Sequence, residues 1–292
     1  MLDLLPQQDH LAIGTRAWRV VFEEPSNGAG AGAERITIKE PQDVCATLTE
    51  VDAEMVLASK EPASRGTLEI IWAPPGAANP PDFERVVEAW VREGADALRR
   101  TPVLAEIRTV RVFWHDTRAL IYSDAEHLHD ALDAVARFTL VERETALMEQ
   151  TMRSMWATIR ADETLTHAVT RRDQKRQPHV NDMTVFATRM RVMSLRVANA
   201  LEQFDATLNA SSKRLYSELV TAAGLYDRLE YLEAPIQLAS DHYELANTRL
   251  IEAKNAATDR RHALLGHVLE IAILLLLAFE TSALLYQIRF SM

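Results

Sequence analysis

Residues 267–288 read HVLEIAILLLLAFETSALLYQI, and this segment decides how the rest of the chain is interpreted. The segment is almost wholly apolar, yet it contains His267, Glu270 and Glu280. A helix rises about 1.5 Å per residue, so the run of about 25 residues at 264–288 is long enough to cross a hydrocarbon core about 30 Å thick. The length and composition therefore predict a membrane-spanning helix.

Basic residues lie on both sides of the apolar run. Lys254, Arg260 and Arg261 precede it and Arg289 follows it. This distribution predicts one transmembrane helix over 263–289 that anchors the protein at its C-terminal end, with the N-terminal bulk in the cytoplasm or matrix. The alternative is a buried core helix of a soluble domain. The run IAILLLLAF favours the membrane because it is apolar on every side, whereas core helices usually keep a polar stripe.

Two carboxylates in such a segment need an explanation, because each would cost a few kcal/mol if it faced lipid. Ten positions at about 100° each place Glu270 and Glu280 roughly 80° apart on one side of the helix. We predict that His267, Glu270 and Glu280 form a polar face that is buried when the helix associates with copies of itself. The alternative is that Glu280 is protonated and tolerated near the far interface.

Composition limits the other classes of function. Hydrophobic residues make up 48% of the 292 residues and charged residues 25%, as in a folded chain of about two domains. The formal net charge of −10 argues against direct binding of nucleic acid. Cys45 is the single cysteine, which excludes an intramolecular disulfide and a cysteine-based zinc site. The N-terminal sequence lacks the pattern of a signal peptide, so membrane insertion is expected to depend on the C-terminal segment.

The first part of the chain predicts a small α+β domain over 1–123. AWRVVFEE at 17–24 and TLEIIWAP at 67–74 are rich in β-branched and aromatic residues and are followed by turn signals. A further strand pair is predicted within 107–122, with its turn near His115. Between these strands, a helix is predicted from five apolar residues at helical spacing: Phe83, Val86, Val87, Trp90 and Val91.

From Asp124 onward glycine and proline become rare, which predicts a helical stalk or bundle over 124–262. The fold class is thus an α+β N-terminal domain, a mainly α-helical and coiled-coil-like region, and one C-terminal transmembrane helix. Apolar residues alternate steps of three and four along one segment, as in the seam of a coiled coil or an antiparallel helix pair. The predicted helix-interface residues are Met183, Phe186, Met190, Met193, Val197 and Phe204.

No pattern of residues predicts catalysis, a cofactor or a metal. In HLHD, His127 and His129 would point apart on a helix and could not share an ion. WHD at 114–116 is interpreted as a surface turn, since no nucleophile accompanies it. The basic run at 171–176 is interpreted as a solvated loop and not as a phosphate or RNA site. We therefore predict a protein that is not an enzyme and has no catalytic, cofactor-binding or metal residues.

The motif LEIAILLLLAFE resembles the C-terminal signature of the DUF155 family, the RMND1-like and YagE-like membrane proteins. That signature has two glutamates ten residues apart inside a single membrane segment, the spacing of Glu270 and Glu280. RVFWHDTRALIY is similar to the strand, tight turn and strand of the family, although HDTR stands where the family often has glycine. The resemblance implies a membrane role that, for the mitochondrial relatives, supports translation or ribosome positioning.

The leading functional hypothesis is a membrane-anchored, non-enzymatic scaffold or tether that self-assembles through its helical region and membrane helix. Its expected partners are the lipid bilayer and other copies of the chain. The alternative is an accessory subunit of a larger membrane complex, in which Glu280 pairs with another membrane protein. A third hypothesis is an enzyme whose site is not visible in one sequence.

Overall fold

The structure is a computed structural model that describes residues 14–25, 34–59, 66–75, 82–93, 101–167, 169–170, 172–202 and 207–290, with side chains up to Thr281. A sheet-containing N-terminal region is followed by a mainly helical region that ends in one long apolar helix. The chain divides into two compact units, one of Met1–Ser154 with Arg189–Ile236 and one of Met155–Thr188 with Gln237–Met292. The three consecutive segments expected from the sequence, at 1–123, 124–262 and 263–289, are a different division and stay a prediction.

The described residues of the first unit form a seven-stranded sheet. Its strands are β1 (Arg16–Glu23), β2 (Glu34–Ile38), β3 (Val44–Val51), β4 (Thr67–Ala73), β5 (Val103–Ile107), β6 (Val110–His115) and β7 (Arg118–Tyr122). They are arranged in the order β2-β3-β1-β4-β7-β6-β5. The central β4 and β7 pair in parallel and the other neighbours pair antiparallel.

Helices cover both faces of the sheet. On one face, α1 (Ala53–Ala58) and α2 (Phe83–Glu93) share a core with Phe113 of β6, which includes Val87 and Trp90. On the other face, Trp114 of β6 meets α3 (Leu128–Ala161), where its ring lies 4.9 Å from that of Phe138. The Trp114 Nε1 donates to Thr139 Oγ1 at 2.8 Å. Burial on both faces explains why residues 70–73 of β4 are all apolar.

The elements predicted from the sequence in this region are present. β1 and β4 match the predicted strands at 17–24 and 67–74, α2 matches the predicted helix, and β6 and β7 form the predicted strand pair. Their turn places Asp116 at a φ of 54°, in the left-handed region where glycine, asparagine and aspartate are best tolerated. Aspartate therefore adopts the conformation for which glycine is often used in such a turn. The structure also contains the strands β2, β3 and β5, which were not predicted from the sequence.

The rest of the described chain is mainly helical. After α3, which has 34 residues, come two short 3-10 turns (Glu163–Thr166 and Asp173–Arg176) and α4 (Gln177–Glu202). The remaining helices are α5 (Ala210–Ala222) and α6 (Leu225–Phe290), which has 66 residues. Gly224 separates them at a φ of 60° and donates its N–H to the Thr221 carbonyl at 3.0 Å. This is the C-terminal glycine arrangement that ends a helix.

Candidate functional site

The C-terminal part of α6 presents an apolar surface on all sides. Every residue at 258–281 is exposed, including Leu274 (65%), Leu275 (67%) and Phe279 (73%). Among the helices described, α6 is the one long and apolar enough to cross a membrane by length and composition. Large contiguous apolar surfaces on proteins mark sites that contact lipid or another protein. The C-terminal segment of α6 is therefore the candidate functional site.

Within this site, the structure brings two of the three predicted polar residues together. His267 Nδ1 lies 3.3 Å from Glu270 Oε2, one helical turn away. Glu280 lies further along, and helical geometry places it about 80° around the axis from Glu270. Close to it, the Thr281 hydroxyl donates to the Leu277 carbonyl at 2.9 Å, so this side chain is satisfied within the helix. The predicted role of His267, Glu270 and Glu280 as a face toward other helices stays a prediction.

Five of the six predicted helix-interface residues lie along α4. Three are buried, with exposed fractions of 7% for Met183, 8% for Met190 and 0% for Val197. Phe186 and Met193 are half-buried. Phe204 lies outside the described residues. Since these exposures belong to a single chain, the stripe packs within the protein itself, and its predicted role in joining copies stays a prediction.

A buried carboxylate organises the second compact unit. Asp162, which is 1% exposed and follows α3, accepts hydrogen bonds from three side chains of later segments. Arg176 donates to Oδ1, while His179 Nε2 lies 2.8 Å and the Tyr243 hydroxyl 3.0 Å from Oδ2. Arg176 belongs to the basic run that the sequence favoured as a solvated loop. Here Arg176 is an ion-pair partner of a buried group.

The other residues considered from the sequence have structural contacts. His129 Nδ1 lies 2.6 Å from Glu34 and His127 Nε2 lies 3.5 Å from Glu126. His115 is buried beside the β6–β7 turn. In the described part of the chain, no group of three or more His, Cys, Asp or Glu side chains is placed to hold a metal ion.

Arg143 and Glu144 line a cleft beside α3 and are not among the site residues predicted from the sequence. A signal was present, because VERET interrupts an apolar stretch with three adjacent charged residues on different sides of the helix. Adjacent charges about 100° apart cannot all lie on one solvated face of a helix packed on a sheet. The pattern indicated that at least one of these charges is buried. It did not indicate which elements surround the buried charge.

Comparisons with known proteins give limited information. No protein-family model matches the chain. Flagellin FlaB1 of Treponema pallidum (strain Nichols) is similar at 22% identity over 186 residues, which is 62% of this chain. The chain spans 65% of the length of that flagellin. This likeness is too distant to define a function, and membership of the DUF155 family stays a prediction.

Proposed function

We propose that the protein is a membrane-anchored, non-enzymatic scaffold or tether. Its C-terminal segment inserts into a bilayer as a single-pass helix, and the sheet domain and remaining helices lie on the cytoplasmic or matrix side. Copies of the chain assemble through the membrane helix and the helical region. By its resemblance to the DUF155 family, the proposed tether supports translation or positions ribosomes at the membrane.

One observation carries the proposal: the apolar side chains of α6 around Leu274 are exposed on every side of the helix. Each square ångström of apolar surface in contact with water costs about 25 cal/mol. A helix with leucine, isoleucine and phenylalanine around its whole circumference has no solvated face. Lipid removes this cost without requiring another part of the chain to cover the helix.

The carboxylates support assembly between membrane helices. Glu270 has His267 as a neighbour, whereas Glu280 has no hydrogen-bond or ion-pair partner among the described side chains. A glutamate at membrane depth is stabilised when it faces a helix bundle or a basic group of another protein. The scaffold proposal assigns that role to a second copy, and the accessory-subunit alternative assigns it to a foreign membrane protein. Copurification of a foreign membrane subunit in fixed stoichiometry would favour the alternative.

The anchor is tested by flotation of cell membranes on a density gradient, which separates membrane-bound protein from aggregates. We expect the full chain to float and a chain that ends at Asp259 to stay in the soluble fractions. A variant of unchanged length, Leu274→Arg/Leu277→Arg, should also lose flotation, because each central arginine costs about 3 kcal/mol on insertion scales. The matched Leu274→Ala/Leu277→Ala variant should float. Flotation of the chain that ends at Asp259 would refute the anchor.

A further inference from the structure

A cleft of about 480 Å³ lies beside α3 in the first compact unit. It is bounded by Phe22 at the end of β1, Val44 at the start of β3, the β6–β7 turn, and α3 between Leu140 and Arg153. We call it the α3 cleft. Its volume is within the range of pockets that bind small molecules, about 300–1,000 Å³. Aromatic and aliphatic side chains of Phe22, Val44 and Leu140 give it apolar walls.

Glu144 is a buried carboxylate in the wall of this cleft that the chain satisfies only in part. The side chain is 7% exposed, and its Oε1 accepts from Gln42 Nε2 at 2.5 Å. Its Oε2 is buried and has no hydrogen-bond partner among the described residues. Burial raises the pKa of Glu144. Buried polar atoms without a partner are rare in folded proteins, because leaving them unpaired is costly. The unpaired acceptor indicates a donor that the described residues do not supply.

Arg143 is held in a fixed position in the same wall. Its Nη2 donates to the carbonyl oxygens of Thr67 at 2.6 Å and Asp116 at 3.3 Å, and its guanidinium lies 5.3 Å from the centre of the Phe22 ring. Burial lowers the pKa of Arg143 to about 10, so the group stays charged at neutral pH. The Nε is buried without a hydrogen-bond partner among the described residues. Glu144 Oε2 and Arg143 Nε are thus two buried polar atoms without a partner among the described residues, and both belong to side chains that line the cleft.

The charge of the lining selects the class of ligand. Arg228 binds two of the carboxylates, Glu142 and Glu149, each at 2.9 Å. The remaining charged side chains are four carboxylates, Glu23, Glu24, Asp116 and Glu144, and two guanidinium groups, Arg143 and Arg153. His115 is the other titratable group in the lining. An excess of negative charge in a partly enclosed, low-dielectric cleft attracts cations and repels anions.

We propose that the α3 cleft binds a small aromatic amine, with its ammonium group donating to Glu144 Oε2. The aromatic body occupies the apolar walls. A hydroxyl or other acceptor on the ligand receives the Arg143 Nε–H. The proposal is independent of membrane anchoring, because every residue that it uses belongs to the first compact unit.

Isothermal titration calorimetry of the full chain in mild detergent at pH 8 tests this inference. The probes are tyramine, phenethylamine and tryptamine. We expect tyramine to bind with a dissociation constant of about 0.1–1 mM, as for a ligand of this size. Phenethylamine, which lacks the hydroxyl, should bind more weakly. The carboxylate analogue 4-hydroxyphenylpropionate should bind at least tenfold more weakly than tyramine.

Two variants, Glu144→Gln and Leu147→Trp, locate the site, and a third serves as their control. Glu144→Gln removes the charge that pairs with the ammonium and should weaken tyramine binding at least tenfold, while Glu54→Gln, an exposed change in α1, should leave it unaltered. Leu147 is 49% exposed and lines the cleft, so Leu147→Trp should fold normally and obstruct binding. The proposal is overturned if none of the three amines binds at 10 mM, or if 4-hydroxyphenylpropionate binds as tightly as tyramine. It is also overturned if Glu144→Gln and Leu147→Trp both bind tyramine as the wild type does.

Discussion

Asp162 shows how one buried side chain connects segments that are distant in sequence. Its two carboxylate oxygens accept from Arg176, His179 and Tyr243, which lie 14, 17 and 81 positions away. A carboxylate with 1% exposure has lost its water and depends on these donors for stabilisation. The same residue therefore connects the end of α3, the start of α4 and the first third of α6.

We expect Asp162→Asn to lower the free energy of unfolding by about 3 kcal/mol, since removing one partner of a buried ion pair leaves the others uncompensated. Urea titration of the full chain in mild detergent measures the change. Asp182→Asn is the matched control, because Asp182 is exposed on α4 in the same unit. It should alter the free energy by no more than about 0.5 kcal/mol. Equal losses in the two variants would show that Asp162 has no special role.

Individual residues also show where prediction from the sequence stops. The exposed, apolar character of the C-terminal segment could be seen directly, since it depends on residues next to one another in the chain. The partners of Asp162 could not, because each of its hydrogen bonds is made by a different segment. Glu144 is a similar case: its neighbour Gln42 lies 102 positions earlier. Buried polar contacts depend on tertiary packing, which a local pattern does not encode.

At the scale of elements, the strands that were predicted and those that were missed differ in physical character. β1 and β4 are rich in apolar and aromatic residues and were recognised. β2 and β5 are the two edge strands and have five residues each, so their alternation is too short to distinguish from a loop. In β3, which is eight residues long, Val44, Ala46 and Leu48 recur at every second position; this period is typical of a strand, although the strand is not among the predicted elements.

Glycine at the α5–α6 boundary gives a test of local backbone conformation. Gly224 has a φ of 60° and no atom within 4 Å of an added Cβ, so Gly224→Ala would be strained by backbone conformation alone. We expect it to cost about 1–2 kcal/mol, the usual difference for an L residue in the left-handed region. Gly266→Ala is the matched control, because it also has open space around the Cβ but lies inside α6.

The control should be neutral or stabilising, by up to about 1 kcal/mol, since alanine is the better helix former. Thermal unfolding of the two variants in the same detergent gives the comparison. A lower melting temperature for Gly224→Ala and an unchanged or higher one for Gly266→Ala is the expected pair of results. A Gly224→Ala variant as stable as the wild type would show that the left-handed conformation at this position does not require glycine.

At the scale of the whole molecule, the sheet domain and the apolar helix differ in whether the chain covers their apolar surfaces. The sheet buries both of its faces against helices of the same chain, so this part needs no further cover. The C-terminal segment of α6 is exposed throughout residues 258–281 and needs an environment that the described part of the chain does not provide. A membrane anchor meets this requirement, and assembly of several copies explains why Glu270 and Glu280 occur in it.

The central claim is that copies of the chain assemble in the membrane through the side of the helix that carries these two glutamates. The direct measurement is the mass of the full chain in mild detergent, by light scattering or native mass spectrometry, beside Glu270→Leu/Glu280→Leu. The control Val268→Ala/Leu275→Ala changes the opposite side of the helix. We predict a defined oligomer for the wild type and the control and a monomer for the glutamate variant. A wild-type monomer, or an oligomer that the glutamate variant preserves, would contradict the account.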